Sequence, residues 1–75
     1  MTRLPRVTGP EVVRAFELDG FAVVRQKGSH VYLRHGDGRA TVVPLHSGEI
    51  IGPGLLSKIL RDVGLDRDRF IALLG

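Results

Sequence analysis

Residues 21–45 read FAVVRQKGSHVYLRHGDGRATVVPL, and the fold turns on how this stretch divides. Phe21 to Gln26 is rich in β-branched and aromatic residues, Gly28-Ser29 marks a turn, and His30 to His35 follows as a second strand. Gly36-Asp37-Gly38 is a hairpin signal, and Arg39 to Leu45 forms a third strand that stops near Pro44. The stretch therefore predicts a three-stranded antiparallel meander.

The flanks carry a different period. Thr8-Gly9-Pro10-Glu11 matches a capping box, with Thr8 at N-cap and Glu11 three residues on. Pro10 fits the first helical turn, where no backbone N–H is required. Val12, Val13 and Phe16 then repeat at helical spacing, so a first helix is predicted from about Gly9 to Asp19, stopped by Gly20. Beyond the meander, Pro53 opens a second helix, Leu55, Leu56, Ile59, Leu60 and Val63 form its apolar stripe, and Gly64 closes it. Asp66 caps a short terminal helix carrying Phe70, Ile71, Leu73 and Leu74. The predicted class is α+β: an αβββα order with a short extra C-terminal helix, the helices covering one face of the sheet. Residues 1–75 are expected to form one domain.

Composition narrows the function classes. The chain has no cysteine, which excludes disulfides and thiolate metal sites. No apolar run approaches the roughly 20 residues that cross a bilayer, and no apolar leader opens the chain, so a cytoplasmic protein without a membrane role is expected. The net charge of +3 is concentrated. Residues 25–46 hold Arg25, Lys27, Arg34 and Arg39 against Asp37 alone, while seven cations and seven carboxylates balance elsewhere. An anionic partner on the central segment is one reading, with RNA the usual candidate for a small basic domain. The other is a solvated surface whose cations discourage edge pairing.

Strand side chains alternate between faces. On that alternation Val24, Val31, Leu33, Ala40 and Val42 share the face under the helices. Arg25, Lys27, His30, Tyr32, Arg34, Arg39 and Thr41 fall opposite, together with Phe21, Val23 and Val43. Cations for phosphate and a ring for base stacking form an RNA-binding pattern, although a polar outer face is also what antiparallel sheets ordinarily present. His35, five positions from His30, falls on the other face, where a structural or turn role is expected. His46, after Pro44-Leu45 at a strand end, is either a second titrating group or a structural loop cap, and the structural role is expected. Three histidines without a neighbouring carboxylate pair do not make a zinc site, so neither metal nor cofactor is expected. Ser29-His30 is not a hydrolase pair, because strand neighbours point apart.

Four blocks then resemble a known family. Gly28-Ser29-His30, Arg34-His35-Gly36-Asp37-Gly38, Val43-Pro44-Leu45-His46 and Gly52-Pro53-Gly54-Leu55-Leu56-Ser57-Lys58-Ile59-Leu60 are similar, in order and spacing, to the HicA toxins of toxin–antitoxin pairs. The resemblance runs from about Val7 to Phe70, departing where Gly52-Pro53-Gly54-Leu55 replaces the family's Gly-Thr-Leu. It implies a double-stranded-RNA-binding-like fold, cleavage of mRNA by the histidine of the Gly-Ser-His block, here His30, and a HicB-like antitoxin that covers that histidine.

Metal-free RNA cleavage needs a base for the 2′-hydroxyl, cations for the phosphorane and a proton for the leaving oxygen. An imidazole, with a free pKa of about 6.5, is suited to the first task, and His30 is assigned as general base. Arg25, Lys27 or Arg34 can stabilise the developing charge, and Ser29 with the backbone of Gly28 can hold a phosphate oxygen. The general acid stays unassigned. The expected function is thus an endoribonuclease toxin. The alternative is a non-catalytic RNA-binding module or a retired toxin kept as an interaction domain.

Overall fold

The computed structural model describes residues 3–46 and 48–75. Six elements follow in order: α1 (Gly9–Leu18), β1 (Phe21–Lys27), β2 (His30–His35), β3 (Ala40–Pro44), α2 (Pro53–Val63) and α3 (Arg67–Leu74). The strands form one antiparallel sheet in the order β1-β2-β3. This is the α+β arrangement expected from the sequence.

α1 begins where the Glu11 carboxylate accepts the Thr8 backbone N–H at 3.0 Å and the Thr8 hydroxyl at 2.9 Å. These bonds hold the Glu11 carboxyl below its ordinary pKa, the backbone N–H first. Val12, Ala15 and Phe16 turn inward. The start of the helix sits hard against the end of β3: a Cβ on Gly9 would lie 2.1 Å from the Pro44 carbonyl oxygen. The preceding segment is tied to the loop after β3, since the Ile51 N–H donates to the Val7 carbonyl at 2.8 Å.

Phe16 is the hub of the core. Its ring lies 5.6 Å from that of Phe21 and 6.0 Å from that of Phe70, joining α1, β1 and α3. Arg69 on α3 adds a 3.2 Å ion pair to Asp19 at the end of α1. α2 packs on β3 and buries Leu56, Ile59, Leu60 and Val63. Among the described residues no helix is long and apolar enough to cross a membrane.

The sheet corrects the sequence reading of its two faces. Val31 and Leu33 are buried under the helices as expected, but so are Phe21, Thr41 and Val43, which alternation had placed outside. Val24 is 61% exposed, Ala40 is exposed and Val42 half-buried, although all three were expected underneath. In β1 the cause is a bulge. Pairing steps from Val23↔Leu33 to Arg25↔Tyr32, so Val24 is an extra residue and the alternation restarts after it. Phe21 is thereby buried under the helices and Val23, paired with Leu33, stays 43% exposed at the sheet edge, while Arg25 and Lys27 face away. In β3 both alternations carry apolar residues, so pattern alone could not choose. The register Thr41↔Leu33 and Val43↔Val31 decides it, and the Thr41 hydroxyl avoids a burial penalty by donating to Asp62 at 3.2 Å.

Arg39, also expected outside, goes to the helix side. Its guanidinium lies 5.1 Å from the centre of the Phe21 ring, donates to the Asp37 carboxylate at 2.8 Å and donates to the Val63 carbonyl at the end of α2. A cation there serves the unpaired carbonyls of a helix C-terminus. His35 joins this cluster, edge-on to Phe21 at 5.1 Å.

Two outcomes follow. Gly9→Ala forces the helix start away from Pro44 and should destabilise the fold by roughly 1–3 kcal/mol, read as a lower unfolding midpoint in denaturant. The Asp37 carboxyl is held below its ordinary pKa, chiefly by the backbone N–H of Arg39 and then by the Arg39 side chain. A carboxyl depressed on folding stabilises above its unfolded pKa of about 4 and ceases to do so as pH falls through the lower folded value. Thermal unfolding of wild type and Asp37→Asn should therefore differ most near neutrality, and the gap should close in acid.

Candidate nucleic-acid interface

The face away from the helices is where the sequence-predicted residues gather. His30, Tyr32 and Arg34 project from β2, with Lys27 directly across from His30 and Arg25 across from Tyr32 on β1. Opposite partners on one face hold their Cβ atoms about 4.5–5.5 Å apart, so His30 and Tyr32 each have a β1 cation beside them, while Arg34 stands opposite Ala22. His30, Arg25, Lys27 and Arg34 are all exposed, and Tyr32 is half-buried. The Arg25 guanidinium lies 5.6 Å from the centre of the Tyr32 ring. Such a contact contributes only about 0.5–1 kcal/mol at the surface, enough to bias the ring's position without fixing it.

The turn before His30 explains Gly28. Its φ of 58° is left-handed, while Ser29 keeps a negative φ. Positive φ at the first of two turn residues is the pattern of a II′ hairpin, which favours glycine there. A Cβ on Gly28 would meet nothing within 4 Å, so the turn's backbone conformation, not crowding within the chain, requires the residue. The turn is also fastened from both sides: the Gln26 amide donates to the Gly28 carbonyl at 3.3 Å, and the Leu45 N–H donates to the Ser29 carbonyl. His30 therefore starts its strand from a fixed corner.

Beside this face lies a groove of about 860 Å³, and α2 supplies its far wall. His30, Tyr32 and Arg34 line it from β2, Val24 from the bulge, and Ala40, Val42 and Pro44 from β3. The α2 wall is Leu55, Lys58, Ile59 and Asp62, and His46 lines the groove from the segment after β3. Sequence reasoning missed this wall because it treated α2 only as a source of core. The signal was present: Lys58 and Asp62 stand four apart, off the apolar stripe of α2. Their side chains meet at 3.0 Å. The Lys58 ammonium, followed by the Thr41 hydroxyl, holds the Asp62 carboxyl below its ordinary pKa.

Of the expected site residues the structure thus brings together His30, Arg25, Lys27, Tyr32 and Arg34, with Gly28 and Ser29 at the adjoining turn. Arg39 is on the other side of the sheet, committed to Asp37, Phe21 and α2. No group of three or more His, Cys, Asp or Glu among the described residues is placed to hold a metal ion. The arrangement offers an accessible imidazole, three cations and a ring beside a groove whose floor is largely apolar.

Comparison with known proteins bears on what such a face does. A family profile described as the HicA toxin of bacterial toxin–antitoxin systems matches residues 9–65, which takes in α1, the whole sheet and α2. No curated protein matches the chain.

Proposed function

The chain belongs to the HicA toxin family, and from that premise we propose that it is an endoribonuclease that cleaves mRNA on the open face of its sheet with His30 as general base. The observation that carries this reading is the position of His30: exposed, at the corner of a fastened turn, with Lys27 directly across the ladder. A base must reach its proton, and an imidazole under the helices could not.

The chemistry runs on this chain's own groups. His30 takes the proton of a ribose 2′-hydroxyl, and the 2′-oxygen attacks the adjacent phosphorus. Lys27, Arg25 and Arg34 offset the charge that builds on the phosphorane oxygens. The bond to the 5′-oxygen breaks, leaving a 2′,3′-cyclic phosphate and a 5′-hydroxyl. That leaving oxygen takes up a proton, for which the groove offers a second imidazole, His46. Ser29 and the Gly28 backbone hold a phosphate oxygen at the turn, and Tyr32 stacks on a base, which suits unpaired RNA. Proton transfer of this kind contributes roughly 10²–10⁴-fold, so its loss is easily measured. As the toxin of a pair, the protein is held silent by a HicB-like antitoxin that covers the His30 face.

The test is cleavage of a labelled mRNA in the presence of a chelator. Wild type should cut it and arrest growth when expressed alone. His30→Ala should lose cutting and arrest but keep its unfolding midpoint and most of its RNA affinity. Three face cations engaging phosphates of a single strand correspond to a log–log salt slope near −2, at about −0.7 per contact. If His30→Ala cuts at the wild-type rate, the assigned base is wrong. If wild type binds RNA but never cuts, the chain is an RNA-binding module instead.

A further inference from the structure

The groove differs along its length, with His30 toward one end and the Lys58–Asp62 pair, near Arg34, toward the other. His30 pairs with Pro44 on β3, whereas Asp62 hydrogen-bonds Thr41, three residues further along the same strand. At about 3.3 Å per residue Pro44 and Thr41 are roughly 10 Å apart along the strand, with Thr41 turned to the helix side and His30 to the open face. Tyr32, Leu33, Arg34, Ala40, Val42 and Leu55 also line the groove. Of these, Tyr32, Ala40, Val42 and Leu55 offer apolar surface against which a ring can lie.

The far end carries an oriented anion. Lys58 Nζ at 3.0 Å and the Thr41 hydroxyl at 3.2 Å both donate to Oδ2 of Asp62. Both of these bonds fall on Oδ2 rather than Oδ1, and the side chain is one-third exposed on the groove wall. An anionic oxygen repels phosphate and the carbonyl edges of a base, and it attracts amino groups. In unpaired RNA the Watson–Crick edge is available for such contacts.

On the reading of the groove as an RNA site, we infer that Asp62 reads a base: its Oδ1 accepts from the exocyclic amino group of a nucleobase lying against the apolar lining, beside the phosphate held at His30. Adenine, cytosine and guanine carry that amino group. Uracil presents carbonyls in its place and is disfavoured. Carboxylate recognition of an amino edge, as with the cytosine 4-amino group, discriminates by roughly tenfold or more. Lys58 and Thr41 are positioning residues in this scheme, fixing which oxygen points into the groove.

Cytidine and uridine differ chiefly in an amino group against a carbonyl, which makes them the cleanest probes. Binding of oligocytidylate and oligouridylate of equal length is measured by fluorescence anisotropy on the His30→Ala chain, so that neither is cut. Oligocytidylate should bind about tenfold more tightly. Asp62→Asn, which offers a donor and an acceptor, should bring the two affinities together. An oligomer of N4,N4-dimethylcytidine removes the donor without altering the protein and should bind no better than oligouridylate. Equal affinity for cytidine and uridine oligomers, or a preference that survives Asp62→Asn or the dimethylated base, overturns the inference while leaving the RNA site in place. Absence of binding to either oligomer overturns the RNA site itself, and the inference with it.

Discussion

The rest of the structure depends on one inserted residue in an edge strand. β1 must bury Phe21 against Phe16 and also present Arg25 and Lys27 to solvent beside β2. Strict alternation forbids this, because residues 21, 23, 25 and 27 would share a face. Placing Val24 out of register resets the alternation, so Phe21 is buried in the core while Arg25 and Lys27 stand on the open face. A bulge on an edge strand also twists it away from flat pairing with another chain. The same local device thus lets Phe21 join the hydrophobic cluster and places Arg25 and Lys27 on the open face.

A division of labour between the two sides of the sheet follows. On the helix side, charge is spent on structure: Arg39 is shared between Asp37, the Phe21 ring and the end of α2, and Arg69 ties α3 to α1. On the open side the cations face solvent around His30, with Arg25 resting on Tyr32. Formal charge counts the two populations alike, although the first is tied into ion pairs and a helix end. α2 bridges the two sides. Its apolar stripe closes the core, and its Lys58–Asp62 edge walls the groove.

Much of this was legible in the sequence, and the misses have physical causes. Helix ends were readable because Thr8, Pro10, Pro53, Gly64 and Asp66 each perform a local backbone task that does not depend on the rest of the fold. The meander was readable from Gly28-Ser29 and Gly36-Asp37-Gly38. The faces of β1 and β3 were not. A bulge leaves no mark on composition, and Ala40-Thr41-Val42-Val43 is apolar enough in either alternation for the register to be set only by pairing with β2. Arg39 was misplaced for the same reason. At the site, His30 and its neighbours lie within ten residues of chain and were therefore visible together. The groove wall was not visible, since Asp62 reaches Thr41 across 21 positions.

The face assignment is most directly tested by mapping where RNA touches the chain. Backbone amide resonances of the His30→Ala protein, followed while a short single-stranded RNA is added, should shift around Arg25, Lys27, Tyr32, Arg34 and Val42, and along the outer edge of α2. Those of Phe21, His35 and Arg39 should hold still. Shifts centred on Arg39 and His35, with the open face unmoved, would contradict the account at its root.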